Sequence, residues 1–136
     1  MFILNRFIFI IILFASTMLY AQNIADFKWK NRVLLFTDSD QRLLNAKAAI
    51  APFDALDKEV KERNMVLFMY AKGSFYHKNG QQIKLQHNLH IPSSFEGIVL
   101  FGKDGGIKLQ EPYPVKAATI FNLIDRMPMR RAEMKN

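Results

Sequence analysis

The amino-acid sequence predicts an α/β fold: a four-stranded mixed sheet flanked by helices, in the order β-α-β-insert-β-β-α. Two short apolar runs have the character of strands buried on both faces, and a long stretch with helical spacing separates them. Two further apolar runs surround an Asp-Gly-Gly turn and precede a last amphipathic segment. A strand, a helix and a second buried strand form a right-handed parallel crossover.

The chain opens with the layout of a secretory signal. Arg6 is the single charge of the first six residues, an unbroken apolar run covers Phe7–Ala15, and Ala21 ends the segment. The apolar run is well short of the ~20 residues that a membrane-spanning helix needs. We therefore expect a signal peptide over residues 1–21 and no stable membrane span after its cleavage. An uncleaved anchor is the alternative.

The first strand and the first helix follow one another closely. Arg32–Thr37 is the first buried strand, and Asp38–Asp40 supplies side chains suited to capping a helix. From Leu43 the apolar residues recur at helical spacing, and acids precede bases by four residues on the other face. Pro52 interrupts this pattern without shifting its phase, which predicts a kink.

The second half of the sheet is predicted in the same way. Met65–Tyr70 is the second buried strand, and Gly97–Phe101 and Ile107–Leu109 form a hairpin around the glycine turn. Val115–Arg126 is a helix that Met127–Pro128 closes.

The insert between these halves, Ala71–Phe95, allows two interpretations. Its apolar residues alternate strictly, which indicates a strand, and Asn79-Gly80 indicates a turn: Ile83, Leu85, His87, Leu89 and Ile91 alternate with polar residues. A short helix is the other interpretation.

Composition limits the functions that the chain can perform. The chain has 136 residues, a formal net charge of +7 and no cysteine. This length suits one domain and excludes a large multidomain enzyme. The absence of cysteine excludes a disulfide scaffold, a thiolate metal site and a dithiol redox centre.

Three phrases of the sequence resemble family 4174 of the domains of unknown function. The turn GKDGGIKL at Gly102–Leu109, the ending LIDRMPMRRAEM at Leu123–Met134 and the opening Trp29–Phe36 are similar to the pattern of that family. The resemblance covers nearly all of the mature chain. The family is regarded as thioredoxin-like and is similar to domains of sushi-repeat-containing extracellular proteins, which have been compared with peroxiredoxins.

The resemblance implies a single thioredoxin-like domain over residues 22–136. Thioredoxin-like folds place a helix in the insert, so we expect a short helix over Gln81–Leu89. They also place reactive cysteines after the first strand, where this chain has Thr37–Gln41. Hydroxyls and carboxylates cannot form a mixed disulfide, which excludes dithiol and peroxidase chemistry for the chain acting alone.

We expect no cofactor and no tight metal site. His77, His87 and His90 lie in one region, but no acid lies between Asn64 and Phe95 to complete a ligand set. The same acid-free stretch is rich in lysine, which indicates a surface for an acidic partner or a merely solvated face.

The C-terminal phrase predicts a structural clasp. Met127 and Met129 would fold back over the helix before them, and Arg130 and Arg131 would pair with carboxylates such as those of Asp125 and Asp104. A partner-binding edge is the alternative. The candidate binding residues, none of them assigned a catalytic role, are Lys103, Asp104, Arg130, Arg131 and Glu133.

These observations lead to one functional hypothesis and one alternative. The hypothesis is a periplasmic or secreted, non-catalytic binding or interaction module, whose partner is an envelope protein or an acidic polymer and not a nucleic acid. The alternative is a cysteine-independent enzyme, or a redox-associated protein of the peroxiredoxin-like type. A polar cleft near Asp38, His77 and the Asp104 turn would favour the enzyme, and a flat or convex basic face would favour binding.

Overall fold

The computed structural model describes residues 22–136, so the predicted signal peptide lies outside the described residues. The strands are β1 (Gln22–Asn23), β2 (Arg32–Asp38), β3 (Met65–Ala71), β4 (Ser74–Tyr76), β5 (Gln82–Ile83), β6 (Leu85–Gln86), β7 (Gly97–Phe101) and β8 (Ile107–Pro112). The α-helices are α1 (Leu44–Ile50), α2 (Asp57–Glu62), α3 (Ala117–Asp125) and α4 (Pro128–Lys135). Two short 3-10 segments cover Ile24–Phe27 and Ala51–Leu56.

The main sheet has six strands in the order β5-β4-β3-β2-β7-β8. Strands β2 and β3 are parallel, and the other neighbouring pairs of this sheet are antiparallel. Strands β1 and β6 form a separate parallel pair. The predicted α/β class with a mixed sheet is therefore confirmed. The predicted number of four strands is too low, because the insert contributes β4 and β5.

Strand β2 lies at the centre of the fold and is buried along its whole length. Side chains of a strand alternate between its two faces. Leu34 and Phe36 accordingly pack with the residues of the helical layer, whereas Val33 and Leu35 join a second cluster on the opposite face. A run of apolar residues without polar alternation is what a strand between two buried layers requires.

The helical layer is divided at Pro52, where the sequence predicts only a kink. Helices α1 and α2 are joined by the 3-10 segment Ala51–Leu56, which contains this proline near its start. Proline lacks the backbone N–H that a continuous α-helix would use there. Ile50, Phe53 and Val60 all remain buried against the sheet, so the apolar stripe keeps its phase across the change of helix type.

The predicted short helix over Gln81–Leu89 is wrong. Strand β5 pairs with β4, with Phe75 opposite Ile83, and β6 pairs with β1. The strict alternation of apolar residues decides this outcome, because only an extended chain turns all of them toward the sheet face that the helices leave open. The predicted turn at Asn79-Gly80 is found, with Gly80 at a φ of +89°.

The C-terminal region contains one more helix than the sequence predicts. Helix α3 ends at Asp125, one residue before the predicted end at Arg126, and Met127 has an extended backbone. Pro128 then begins α4 rather than a fold-back segment, since proline is well suited to the first turn of a helix. Within residues 22–136, no helix has the length and apolar character needed to cross a membrane.

Candidate functional site

The first residue of β2 is a buried arginine. The Arg32 side chain is 1% exposed, and its Nη1 and Nη2 atoms donate to Glu133 Oε2 and Oε1 at 3.2 and 3.3 Å. Its Nη1 atom also donates to the carbonyl oxygen of Arg63 at 2.8 Å. This two-pronged contact ties the C-terminal helix α4 to the amino end of the central strand.

The carboxylate of Glu133 contacts several cationic side chains at once. Its Oε1 atom also accepts from Lys103 Nζ, and its Oε2 atom lies 3.9 Å from Arg130 Nη1, one helical turn away on α4. Burial disfavours the charged form of Glu133, but the hydrogen bonds from Lys103 and Arg32 outweigh it and hold the pKa of Glu133 below its usual range. A single carboxylate is thus shared among three basic side chains.

Asp125, at the end of α3, is the second anion of this region. Arg63 donates to its two oxygens from Nε and Nη2 at 3.0 and 2.8 Å, and Arg130 Nε donates at 3.1 Å. The hydrogen bond from Arg63, supported by Arg130 and opposed by burial, lowers the pKa of Asp125. The guanidinium of Arg63 also lies over the ring of Phe121, 4.5 Å from its centroid.

Cations outnumber anions in this group. We call it the cation cluster: Arg32, Arg63, Lys103 and Arg130, with the carboxylates of Asp125 and Glu133. Four positive charges face two negative ones, so the cluster keeps a formal charge of 4 − 2 = +2. Within residues 22–136, Arg32 Nε is the buried side-chain nitrogen or oxygen atom that lacks a hydrogen-bond partner. The cluster is therefore incompletely satisfied in both charge and hydrogen bonding.

A cavity of about 530 Å³ opens beside the cation cluster, and we call it the cluster cavity. Arg32 and Lys103 form its wall toward the cluster, and Lys108 and Arg126 add two further cations. Its apolar wall comes from the end of α3 and the segment that follows: Leu123, Met127, Pro128 and Met129. The cavity thus combines a basic side with an apolar one.

The structure brings together four of the five predicted binding residues. Lys103 and Asp104 line the cluster cavity, and Arg130 and Glu133 lie in the cation cluster. Arg131 is exposed on α4 and belongs to neither group. The predicted pairing of Arg130 with Asp125 is confirmed, whereas Asp104 pairs with Lys108 at 2.8 Å rather than with an arginine.

Sequence reasoning missed several basic residues of this site. Arg32, Arg63, Lys108 and Arg126 come from four separate places in the chain, and no spacing rule connects them. One signal was present: an arginine is the first residue of the strand, and four apolar residues follow it directly. A charge in such a position must find partners or reach a cavity.

The carboxyl end of β2 has a different character. Asp38 Oδ2 accepts from the backbone N–H groups of Asn45 and Ala46 at 2.9 and 3.0 Å, so the carboxylate caps α1 as predicted. Ser39 Oγ donates to Glu96 Oε1, and Asn45 Nδ2 donates to Glu96 Oε2 at 2.9 Å. These polar groups form hydrogen bonds with one another and with the backbone.

A comparison with models of known protein families shows to which family the chain belongs. The pattern of the domain of unknown function DUF4174 matches residues 23–133. The chain belongs to the DUF4174 family. Comparisons with curated proteins and with solved structures returned no significant match. Membership agrees with the resemblance carried by the glycine turn and the C-terminal phrase, and it names no reaction.

The histidines of this DUF4174 chain do not converge. His87 Nε2 donates to the carbonyl oxygen of Gly73 at 2.9 Å, and its Nδ1 atom accepts from Leu89 N–H at 3.2 Å, which leaves neither nitrogen free. His77 and His90 are exposed. In the part of the chain that the structure describes, no three histidine or carboxylate side chains are placed to hold a metal ion together.

The methionines of the C-terminal phrase contribute less burial than the clasp prediction requires. Met127 packs against the core, but Met129 and Met134 are 42% and 51% exposed. The helical turn of α4 instead directs Arg130 inward, where Nη1 donates to the carbonyl oxygen of Glu62 at 2.8 Å. The segment is held mainly by ion pairs, and the prediction that methionine folds back over the core is confirmed for Met127 and wrong for Met129.

Proposed function

We propose that this DUF4174 chain is an exported, non-catalytic binding module with a thioredoxin-like fold. The order of the four central strands, β3-β2-β7-β8, supports the fold, because its first two strands are parallel and joined by helices and its last two form an antiparallel hairpin followed by α3. Strands β4 and β5 extend this arrangement at one edge. The signal-like residues 1–21 support export to the periplasm or the extracellular space.

One observation carries the binding proposal: a cavity with surplus positive charge lies at the amino end of β2. Lys103, Lys108 and Arg126 line it together with the buried Arg32, whereas Asp104 is the single acidic residue of its lining. A cavity whose walls carry one sign of charge attracts ligands of the opposite sign. The partner is accordingly acidic, whether it is an envelope protein or an acidic polymer.

The opposite end of β2 supports a function without thiol chemistry. In thioredoxin-like folds the reactive cysteines follow the first strand of the crossover, which here is the position of Asp38 and Ser39. The Asp38 carboxylate is occupied by the first turn of α1. A side chain committed to capping a helix contributes to stability rather than to exchange of a disulfide.

Retention of an envelope component on the immobilised protein tests the proposal. The protein, expressed from the full-length sequence and purified after export, is compared with Arg126→Glu and with the matched charge reversal Arg131→Glu. Both arginines are exposed, but only Arg126 lines the cluster cavity. We expect a component that the intact protein and Arg131→Glu retain and that Arg126→Glu loses. Equal retention by all three proteins would contradict a binding site in this cavity.

A second candidate function is a cysteine-independent enzyme or a redox-associated protein. The hydrogen-bonded group of Ser39, Asn45 and Glu96 beside Asp38 is the observation in its favour. Insulin reduction and thiol-peroxidase assays on the purified protein separate the two candidates. We expect no turnover above a boiled control, since no thiol is present to react. Turnover in either assay would favour the second candidate.

A further inference from the structure

The ligand of the cluster cavity can be defined by its chemistry. We propose that this cavity binds a small amphipathic acid, in which one carboxylate or phosphate group is joined to an apolar body. This inference rests on the proposed binding function and names its ligand class. Three properties of the cavity carry it: its size, its unbalanced charge and the separation of its basic wall from its apolar wall.

The cavity is large enough for both the acidic group and the apolar body of such a ligand. Its volume of about 530 Å³ lies within the roughly 300–1,000 Å³ typical of sites for small molecules. An inorganic anion would leave most of this space empty. A larger acidic partner, whether a protein or a polymer, would place only one of its acidic groups and the atoms next to it in this space. The volume therefore favours a ligand with a body of several carbon atoms in addition to its charged group.

The surplus positive charge of the basic wall favours a ligand with an anionic group. Lys103 and Arg32 already share the carboxylate of Glu133, and Lys108 is paired with Asp104. Arg126 is exposed, and within residues 22–136 no acidic side chain forms an ion pair with it. Arg32 adds a second sign of incompleteness, because its side chain is 1% exposed and its Nε atom has no partner among the described residues. A bound anion would offset the surplus charge of both arginines.

The apolar wall favours a ligand whose anionic group is joined to a hydrophobic body. Leu123 and Met127 pack partly against the core and present their remaining surface to the cavity. Met129 lines the same wall and is 42% exposed, which is high for a large apolar side chain. Methionine adapts its shape to a bound apolar group at little cost. Burial of this surface would add to the attraction of the charged wall.

A glycine keeps the basic wall close to the cluster. Gly102 lies between the wall residues, and a Cβ atom built on it would come within 2.6 Å of Lys108 Cε. The absence of a side chain lets Lys108 lie across this position and reach Asp104, which in turn accepts from the backbone N–H of Gly106 at 3.0 Å. The hairpin turn thus positions Lys103 and Lys108 on one side of the cavity.

Calorimetric titration with defined probes tests the ligand class. Octanoate and octyl phosphate supply both parts of the proposed ligand, octanamide supplies the apolar part alone, and inorganic phosphate supplies the charge alone. We expect the two amphipathic acids to bind at least about tenfold more tightly than either single-part probe. Equal binding of octanamide or of inorganic phosphate would overturn the proposal, because one wall would then suffice.

Two matched variants place the binding in the cavity. Arg126→Glu is expected to weaken octanoate binding by at least about tenfold, and Arg131→Glu to change it by less than about twofold. Equal denaturation midpoints of the two variants check that both remain folded. An equal loss of affinity in both variants would indicate general charge attraction and overturn the site.

A vesicle experiment separates the two sources of such an acid. Sedimentation of the protein with phosphatidylglycerol vesicles, abolished by Arg126→Glu, would identify a lipid headgroup as the source. Binding of octyl phosphate without such sedimentation would identify a free acid. If no amphipathic acid binds and envelope retention still depends on Arg126, the ligand class is wrong and the binding function stands. If that retention is also absent, both proposals fail.

Discussion

The two ends of β2 each bury a charged residue, and they neutralise it in different ways. Arg32 begins the strand and Asp38 ends it, so the two groups lie about 20 Å apart on one seven-residue strand. The Asp38 carboxylate accepts three backbone N–H groups, from Asp40, Asn45 and Ala46. The Arg32 guanidinium depends on the side chain of Glu133 and on one carbonyl oxygen.

The difference shows why the surplus positive charge lies at the amino end of β2 and not at its carboxyl end. A buried anion at the start of a helix is stabilised by backbone dipoles that the local chain always provides. A buried cation at the start of a strand has no such local supply. The guanidinium of Arg32 instead contacts Glu133 of α4. The same carboxylate also contacts Lys103 of the β7–β8 hairpin and Arg130 of α4, so further cations lie beside Arg32. The amino end is therefore left with surplus charge beside a cavity, whereas the charge at the carboxyl end is met by three backbone N–H groups.

The largest expected effect is the loss of Glu133. Replacing Glu133 by alanine leaves the buried Arg32 without its carboxylate and removes the partner of Lys103. Breaking a buried ion pair on one side typically costs about 3–5 kcal/mol. We expect the free energy of unfolding to fall by that amount in chemical denaturation. Glu111→Ala, an exposed glutamate outside the cluster, serves as the control and should change it by less than about 0.5 kcal/mol. Equal effects of the two variants would refute a special role of Glu133.

Acid should weaken the same end of β2, by less than the alanine substitution. The pKa values of Asp125 and Glu133 are lowered in the folded state, so both carboxylates contribute stability above their unfolded pKa of about 4. That contribution is lost as the pH falls through the lower folded values. The effect is smaller because a protonated carboxyl group stays in place and keeps some hydrogen bonds.

Denaturation midpoints between pH 7 and pH 3 measure this loss. We expect the midpoint of the intact protein to decrease below about pH 4. Glu133→Gln should show a flatter dependence on pH, whereas Glu111→Gln should keep the dependence of the intact protein. A Glu133→Gln profile as steep as that of the intact protein would contradict the assignment of the lost stability to this carboxylate.

A smaller effect is expected at the carboxyl end. Asp38→Ala removes the acceptor of two N–H groups in the first turn of α1, and loss of a helix cap typically costs about 1–2 kcal/mol. Asp40→Ala is the control in the same loop, because Asp40 bonds mainly to the exposed Arg42. Denaturation midpoints should fall for Asp38→Ala and change little for Asp40→Ala. A larger decrease of the midpoint for Asp40→Ala than for Asp38→Ala would show that Asp38 is not the residue that stabilises the start of α1.

The smallest expected effects concern the exposed methionines. Met129→Ala and Met134→Ala should each lower the free energy of unfolding by less than about 0.5 kcal/mol, because both side chains are largely exposed. Met127→Ala, whose side chain packs against the core, should cost about 1–2 kcal/mol and is the internal comparison. Equal losses at Met127 and Met134 would restore the explanation of the C-terminal segment by methionine burial.

The sequence by itself determined the local elements of this protein. The apolar runs at β2, β3 and β7, the turns at Gly80 and Gly105 and the interruption of the helix at Pro52 all follow from interactions between near neighbours in the chain. The insert shows the strength of that signal. The alternation of Ile83, Leu85 and Leu89 correctly indicated an extended chain, and the expectation drawn from the fold family did not.

Only the tertiary structure decided how the charges are arranged. Arg32 and Glu133 are separated by 101 residues, and Arg63 and Asp125 by 62. Each pair is formed because the parallel crossover and the last two helices bring four distant segments to the amino end of β2. Local spacing determines a helix or a turn, since its partners lie within a few residues. An ion pair between distant segments has no such spacing, so its partners, its burial and the cavity beside it exist only in the folded chain.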